Sequence, residues 1–381
     1  MEKLRALGLS RPEEAFLWLV CAGLWEREIE DQEPFPLSAE EWEDVISLAR
    51  IQTVQGLVIR GIQFLPSAMM PAQQFLWTCA PDLARIEAGY KKVTSAATAT
   101  DSLLRSLGVK PILQKGLSVA RFYMQPQWRV NGDIDWYVGH MDVLKKVATS
   151  LQELGYEVEA HADGSISFEQ NGVEIELHPN LTDLLSAKGQ KTVSELFHSE
   201  DVQQMSLPDG SSVDVTGPMM TLLLLESHLM KHVSTVGIGL RQFCDMARAA
   251  HVLYGQYEAP AFTNTLHRTG MLRWHQLLRM FLVNLLGLPS NEFPEIQGSD
   301  SEKLEKDYRW LLRDVLRCGN FGQHTTEWKS QFQRGNGFVT HTLRQILARL
   351  PFSLRIAPIE TCCQVRTLAY NQIKNKIRKV I

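Results

Sequence analysis

The first hundred residues carry apolar positions at helical spacing. Ser38 and Glu41 have the spacing of a helix capping box. The apolar residues that follow, from Trp42 to Ala49, recur at i, i+3, i+4 and i+7. Residues 83–107 continue with the composition of a long helix. The pattern therefore predicts a helical N-terminal region.

The pattern changes to short strands after residue 108. "DIDWYV" (133–138) and "VEIELH" (173–178) alternate polar and apolar positions with the period of a strand. Asn171 and Gly172, between two alternating runs, predict a β-hairpin. Strand and helix patterns are mixed as far as residue 216, and helical spacing then returns.

These patterns predict an α+β fold in which a small mixed sheet is flanked by helical regions. We expect an N-terminal helical region at 1–108, an α/β core at 109–216, and a C-terminal helical domain with a basic tail at 217–381. A chain of 381 residues is long enough for this number of units.

An apolar run from Ala15 to Trp25 has the length of a signal-peptide core. Glu13 and Glu14 stand directly before it, where a signal peptide carries positive charge. The run is too short to span a bilayer, and it predicts a buried helix. The six cysteines are scattered without a CxxC pair, which is typical of reduced thiols. We therefore expect a cytoplasmic protein that does not use a membrane as a partner.

Charge is unevenly distributed along the chain. The formal net charge is −4, yet residues 341–381 carry eight Lys and Arg against one acid, Glu360. This segment is either a solvated helical face or a contact for a phosphate-rich partner or anionic lipid. Ile373 and Ile377, followed by Val380 or Ile381, predict an amphipathic helix that caps the preceding helical domain.

Two predicted strands each carry acids on a single face. Asp133 and Asp135 lie on one face of the first strand, and Glu174, Glu176 and His178 lie on one face of the second. The acids either point into water from a half-exposed sheet, or converge if the two strands are neighbours. Converging carboxylates repel one another and need a cation, and oxygen ligands with room for phosphates suit magnesium.

Cations precede the first of these strands. Lys115 and Gly116 form a turn before a predicted helix, and Arg121 and Arg129 follow. A glycine-containing turn at the start of a helix presents backbone N–H groups to anions. Acids for a metal and cations for phosphate within one short stretch predict a nucleoside triphosphate site.

The order "KG…R…GDIDWYV…VEIELH" resembles the nucleotidyltransferases of the DNA polymerase β superfamily, over roughly residues 109–181. It is most similar to their bacterial, mostly uncharacterised branch, in which a Lys-Gly turn replaces the usual Gly-Ser. Abortive-infection nucleotidyltransferase toxins have a similar turn. The resemblance implies a transferase that moves an NMP from an NTP, with ATP among the candidates, to an acceptor hydroxyl, and releases pyrophosphate.

The resemblance also implies the roles of individual residues. Asp133, Asp135 and a third carboxylate, Glu176, would be catalytic and would bind two Mg²⁺ ions or Mn²⁺, while Glu174 stays an alternative third acid. The nucleotide-binding residues implied are Lys115, Gly116, Ser118, Arg129 and Arg241. The acceptor stays open, with a protein, a tRNA and a small molecule all compatible with the sequence.

Two further residue pairs can each be interpreted in two ways, and two other functions compete with that of a transferase. His228 and His232 have a spacing that can bind zinc, but packing or a polar contact with the site is favoured. Arg241 and Asp245 are spaced for a helical ion pair, and Arg241 alternatively contacts phosphate. The competing functions are a catalytically inactive nucleotide sensor and an RNA-binding or assembly protein that acts through 341–381.

Overall fold

The computed structural model describes residues 8–29, 32–161, 163–296, 298, 300–320 and 338–378, with the backbone alone for 338–345 and 369–378. The helices are α1 Arg11–Trp25, α2 Ala39–Ile51, α3 Gln55–Ile62, α4 Gln73–Ser106, α5 Leu117–Ala120, α6 Met141–Glu153, α7 Ala187–Ser199, α8 Pro218–Ser234, α9 Leu240–Leu253, α10 Ala259–Thr269, α11 Leu272–Asn284, α12 Ser301–Cys318, α13 Phe338–Ile356 and α14 Pro358–Arg378.

Seven strands form one mixed sheet, which confirms the predicted α+β class. They are β1 Ile112–Leu113, β2 Ile134–Tyr137, β3 Glu159–Ala160, β4 Ile166–Gln170, β5 Val173–His178, β6 Gln203–Ser206 and β7 Ser212–Val215. Their order across the sheet is β3-β4-β5-β2-β1-β7-β6. The β2–β5 and β1–β7 pairs are parallel, and the other neighbours are antiparallel.

Local signals in the sequence match local structure. The Ser38 hydroxyl accepts from the Glu41 amide and the Glu41 carboxylate accepts from the Ser38 amide, which confirms the capping box at α2. The predicted hairpin joins β4 to β5 through Asn171 and Gly172, both with positive φ. Helix α14 confirms a helix near the end of the chain as far as Arg378, while Val380 and Ile381 lie outside the described residues.

The apolar run from Ala15 to Leu24 is buried throughout in α1, as predicted. None of the helices in the described part of the chain is long and apolar enough to cross a bilayer. Helix α1 instead packs against α3 in the interior of the protein.

Two hydrophobic cores organise the described residues. One core lies on the apolar face of the sheet, where Trp136 and Ile175 are fully buried and the later part of α4 and the helix α6 contribute. The second core joins α1–α3 to α8–α12, and includes Phe16 and Phe243. The N-terminal and C-terminal helices therefore share one interior, although the sequence pattern predicts them as separate regions.

The contact between α1 and α3 depends on a missing side chain. A Cβ atom added at Gly23 would lie inside the van der Waals distance of the Leu57 carbonyl oxygen on α3. Helix α3 also contacts the short 3₁₀ turn at Pro126–Trp128, which lies directly before Arg129. The close approach of α1 and α3 therefore affects the position of this turn. The helical packing thus reaches the chain that leads into β2.

We predict that Gly23→Ala lowers the free energy of unfolding by about 1–3 kcal/mol, because the two helices must separate to admit the methyl group. Gly89→Ala in α4 is the matched control, since nothing lies within 4 Å of the added Cβ. Removing glycine from this helix interior should stabilise the protein by about 0.5–1 kcal/mol. Urea denaturation measures both changes, and equal effects would contradict the assigned helix contact.

Candidate functional site

The turn after β1 brings Lys115 to the polar face of the sheet. The Gln114 amide donates to the Asp135 carbonyl, at 2.9 Å, and so continues the β1–β2 pairing to the turn. Gly116 comes next, directly before α5, with φ +61° and ψ −105°. This backbone conformation would be strained for a residue that carries a side chain. The Lys115 Nζ lies 3.1 Å from Asp135 Oδ1. Ser118, on α5, is buried.

The parallel pairing of β2 with β5 places Asp135 directly opposite Glu176. His178 Nε2 lies 2.8 Å from Asp135 Oδ1 and 3.4 Å from Glu176 Oε2. Asp135, Glu176 and His178 each offer one ligand atom, and these atoms lie within 4.8 Å of one another. Glu174 pairs with Glu169 on β4 and is exposed. Geometry therefore brings Glu176, and not Glu174, to Asp135.

Charge compensation explains how Asp135 is buried within a strand. Burial by itself raises the pKa of the Asp135 carboxyl, but the Lys115 ammonium and the hydrogen bond from His178 outweigh burial and hold this pKa well below its usual range. Burial lowers the pKa of His178, yet its bonds to Asp135 and Glu176 raise it to about 9. The pKa of Lys115 is also raised, because nearby carboxylates outweigh its burial.

Asp133 stands directly before β2 and is exposed at the entrance of this group. Its carboxylate is not among the three clustered ligands found in the described residues. The protein atoms around its carboxyl group and the negative charge of Asp135 raise the pKa of Asp133, and Lys115 opposes that rise. Asp133 thus lies within electrostatic range of Asp135 and Glu176 without belonging to their group of ligand atoms.

Arg129 is held by a buried carboxylate on a distant helix. Its Nε and Nη2 donate to the two oxygens of Asp245 on α9, at 2.8 and 2.7 Å, and its Nη1 donates to Asn131 Oδ1 at 2.6 Å. The Tyr123 hydroxyl also donates to Asp245, at 2.7 Å. The guanidinium has little donor capacity left for a phosphate, so this arrangement supports a positioning role for Arg129.

Arg241 does not form the predicted helical ion pair, since Arg129 and Tyr123 bind Asp245 instead. Its Nη1 donates to the Val130 carbonyl at 2.7 Å, and its Nε is buried without a hydrogen-bond partner. Burial and the Arg129 charge lower the pKa of Arg241. This guanidinium therefore has an unused donor close to the residues that lead into β2.

A second polar group lies beside the first. His228 Nδ1 and Lys231 Nζ lie 3.0 and 2.7 Å from the two carboxylate oxygens of Asp183. Burial raises the pKa of Asp183, but Lys231 and the hydrogen bond with His228 hold it well below its usual range. His228 thus makes a polar contact beside the site, which is one of the two roles that the sequence favoured for this pair of histidines.

Sequence reasoning missed Asp183. This residue follows β5 in the loop "HPNLTDLL", which has no spacing signal of its own, and its partners are more than forty positions away on α8. His178 carried a signal, because it shares the polar face of β5 with Glu176, but its contact with Asp135 required the strand pairing.

A cleft of about 600 Å³ extends from this site. Lys115 and His178 line one end, the loop 179–185 lines one side, and residues of α8 and α14 line the remainder. A volume of this size is typical of sites for small molecules.

Comparison with known proteins identifies the class. Residues 38–287 match the model of a family described as uncharacterised nucleotidyltransferase, and the chain belongs to this family. A solved structure, an antigenic nucleotidyltransferase-like protein from Paracoccidioides brasiliensis, is similar over 52% of this chain and 93% of that one, at 12% identity and a TM-score of 0.33. No curated protein matches.

We predict that Arg129→Ala lowers the free energy of unfolding by about 3–5 kcal/mol, because Asp245 is left buried without its main partner. Lys145→Ala is the control, since Lys145 and Asp142 form an exposed pair at 4.0 Å and such pairs contribute little. Urea denaturation followed by circular dichroism measures both. An unchanged stability in Arg129→Ala would contradict the positioning role.

Proposed function

We propose that this protein transfers an NMP from a nucleoside triphosphate to a hydroxyl of an acceptor, in a metal-dependent reaction. One observation carries the proposal: Asp135 and Glu176 are paired on adjacent parallel strands, and Lys115 Nζ lies 3.1 Å from Asp135 Oδ1. Membership of a nucleotidyltransferase family supports the general reaction. The resemblance of residues 109–181 to the DNA polymerase β superfamily also supports the proposal.

The donor set fits a divalent cation. Asp135 and Glu176 supply the oxygen ligands that Mg²⁺ prefers, and His178, after its Nε2 loses a proton, would add a nitrogen that Mn²⁺ accepts more readily. Asp133, which stands directly before β2, is assigned to a second metal position next to Asp135. When bound, the metal would stabilise the negative charge that develops around the α-phosphorus.

The reaction forms one bond at the α-phosphorus and breaks one, and it transfers one proton from the acceptor hydroxyl. The acceptor oxygen bonds to the α-phosphorus, and the bond from that phosphorus to the oxygen bridging to the β-phosphorus breaks. Pyrophosphate leaves with the bonding electron pair. We assign Glu176 to accept the hydroxyl proton, because its carboxylate is part of the cluster and remains partly exposed.

The cations of the site divide into two roles. Lys115 lies on the open cleft, and the backbone at Gly116 follows it, so both are assigned to the triphosphate. Arg241 is assigned to the same ligand because of its unpartnered Nε. Arg129 would act through Asp245, holding the loop that leads to β2. Buried Ser118 would support the turn from within α5.

Glu176→Gln should abolish NMP transfer, and Glu174→Gln should retain it. The two residues lie on the same strand and face, but only Glu176 belongs to the cluster with Asp135. The assay incubates the protein with α-labelled NTP, Mg²⁺ or Mn²⁺, and cell extract. The stabilisation of the protein by metal, measured by thermal shift, should shrink only in the Glu176 variant. The opposite pattern would make Glu174 the third acid.

Lys115→Ala and Arg241→Ala should each weaken NTP binding by about ten- to a hundredfold, and NMP binding less, if both cations contact the β- and γ-phosphates. Lys110→Ala is the control, because Lys110 is exposed just before β1. Isothermal titration with NTP and NMP gives both affinities. Equal losses for the two ligands would place these cations elsewhere in the site.

A further inference from the structure

We propose that the cleft beside the cluster is the acceptor site, and that it takes an uncharged, hydroxyl-bearing small molecule. This inference rests on the proposed function, since it names the acceptor of the same reaction. The position of the cleft supports it. Lys115 and His178 form part of its wall, so a molecule bound there lies next to the residues assigned to the transfer.

The charged side chains of the cleft are already paired within the protein. Lys115 binds Asp135, and Lys231 binds Asp183. Asp163 accepts from the amide and hydroxyl of Ser165. No cation among the described lining residues is left without an acidic partner. Lys115 is already assigned to the triphosphate, so a phosphorylated or polyanionic acceptor could gain a cation here only by breaking the pair between Lys231 and Asp183, whereas an uncharged molecule would leave that pair intact.

One wall of the cleft is held in place by the single acid of the basic C-terminal segment. Glu360, at the start of α14, accepts from the backbone amides of Leu185 and Ser186, at 2.6 and 3.1 Å. Ser186 is the N-cap residue of α7 and Leu185 precedes it, so the carboxylate satisfies two backbone donors that the helix itself cannot pair. Gln364 and Thr367 of α14 therefore face the same space as the loop after β5.

Two hydroxyl groups in the wall have unused hydrogen-bonding capacity. Thr182 and Ser234 line the cleft, both are more than nine-tenths buried, and neither hydroxyl oxygen has a partner in the structure. A buried hydroxyl without a partner is unfavourable, and rotation about χ1 can direct it to a ligand. Because each of these hydroxyls can donate or accept, both can form hydrogen bonds with a hydroxyl-bearing molecule.

The remaining lining is aliphatic and amide in character. Its apolar members include Leu181, Leu184, Leu224 and Met230, and no phenylalanine, tyrosine or tryptophan occurs among the described lining residues. A nucleobase would have no aromatic side chain on which to stack. The lining and the volume of about 600 Å³ together favour a compact alcohol with some aliphatic surface over a nucleic acid.

The first test separates the classes of acceptor. Cell extract is divided by ultrafiltration, and each fraction is incubated with protein, α-labelled NTP and metal. We expect label in the low-molecular-weight filtrate, and acceptor activity that passes unretained through both anion- and cation-exchange resin. Label in RNA or protein, or retention on either resin, would overturn the inference and leave the proposed function intact. Label in neither fraction would contradict the proposed function itself.

The second test uses the unretained filtrate, at graded dilutions, as the acceptor. Thr182→Val and Ser234→Ala should each raise its apparent KM by about three- to tenfold, with kcat and the melting temperature little changed, because neither hydroxyl bonds to the protein. Thr265→Val is the control, since its buried hydroxyl donates to the Ala261 carbonyl at 3.0 Å on α10, away from the cleft. That variant should lower the melting temperature and leave KM unchanged. Unchanged KM in both cleft variants would overturn the inference.

Discussion

A carboxylate buried within a strand is the constraint on which the site depends. Asp135 is 6% exposed, and an unpaired charge at that depth would be strongly unfavourable. Lys115 and His178 compensate it, and Glu176 lies opposite on the neighbouring strand. The same requirement for positive charge makes the position suitable for a divalent cation. The cluster is therefore both costly for the fold and chemically useful.

Long-range polar contacts connect this sheet to the helices around it. The pair between Arg129 and Asp245 ties the loop before β2 to α9, and Tyr123 adds a hydrogen bond to the same carboxylate. The N-terminal and C-terminal helices share one hydrophobic core, so the loop is supported from both ends of the chain. These polar contacts and the shared core together hold the loop that leads into β2.

The basic C-terminal segment gains a specific structural role from one of its residues. Glu360 is the single acidic residue in the basic segment 341–381, and its carboxylate joins α14 to the N-terminal end of α7. This contact makes α14 a wall of the cleft. The cations of the segment are not needed for that contact.

The sequence by itself determined features that depend on near neighbours in the chain. The capping box at Ser38, the turn at Asn171 and Gly172, and the common face of Glu176 and His178 follow from spacing and local backbone preferences. The α+β class also followed from these periods. The candidate acids were visible for the same reason, since alternation along a strand is a local property.

Tertiary structure decided which of these local features meet. Parallel pairing of β2 with β5 placed Glu176, and not Glu174, opposite Asp135; a register shifted by about two residues would have placed Glu174 there. Tertiary structure also paired Asp245 with Arg129, 116 positions away, and not with Arg241 on the same helix. Asp183 and His228, 45 positions apart, met only through the fold. Contacts over such separations depend on strand order and helix packing, which no local spacing encodes.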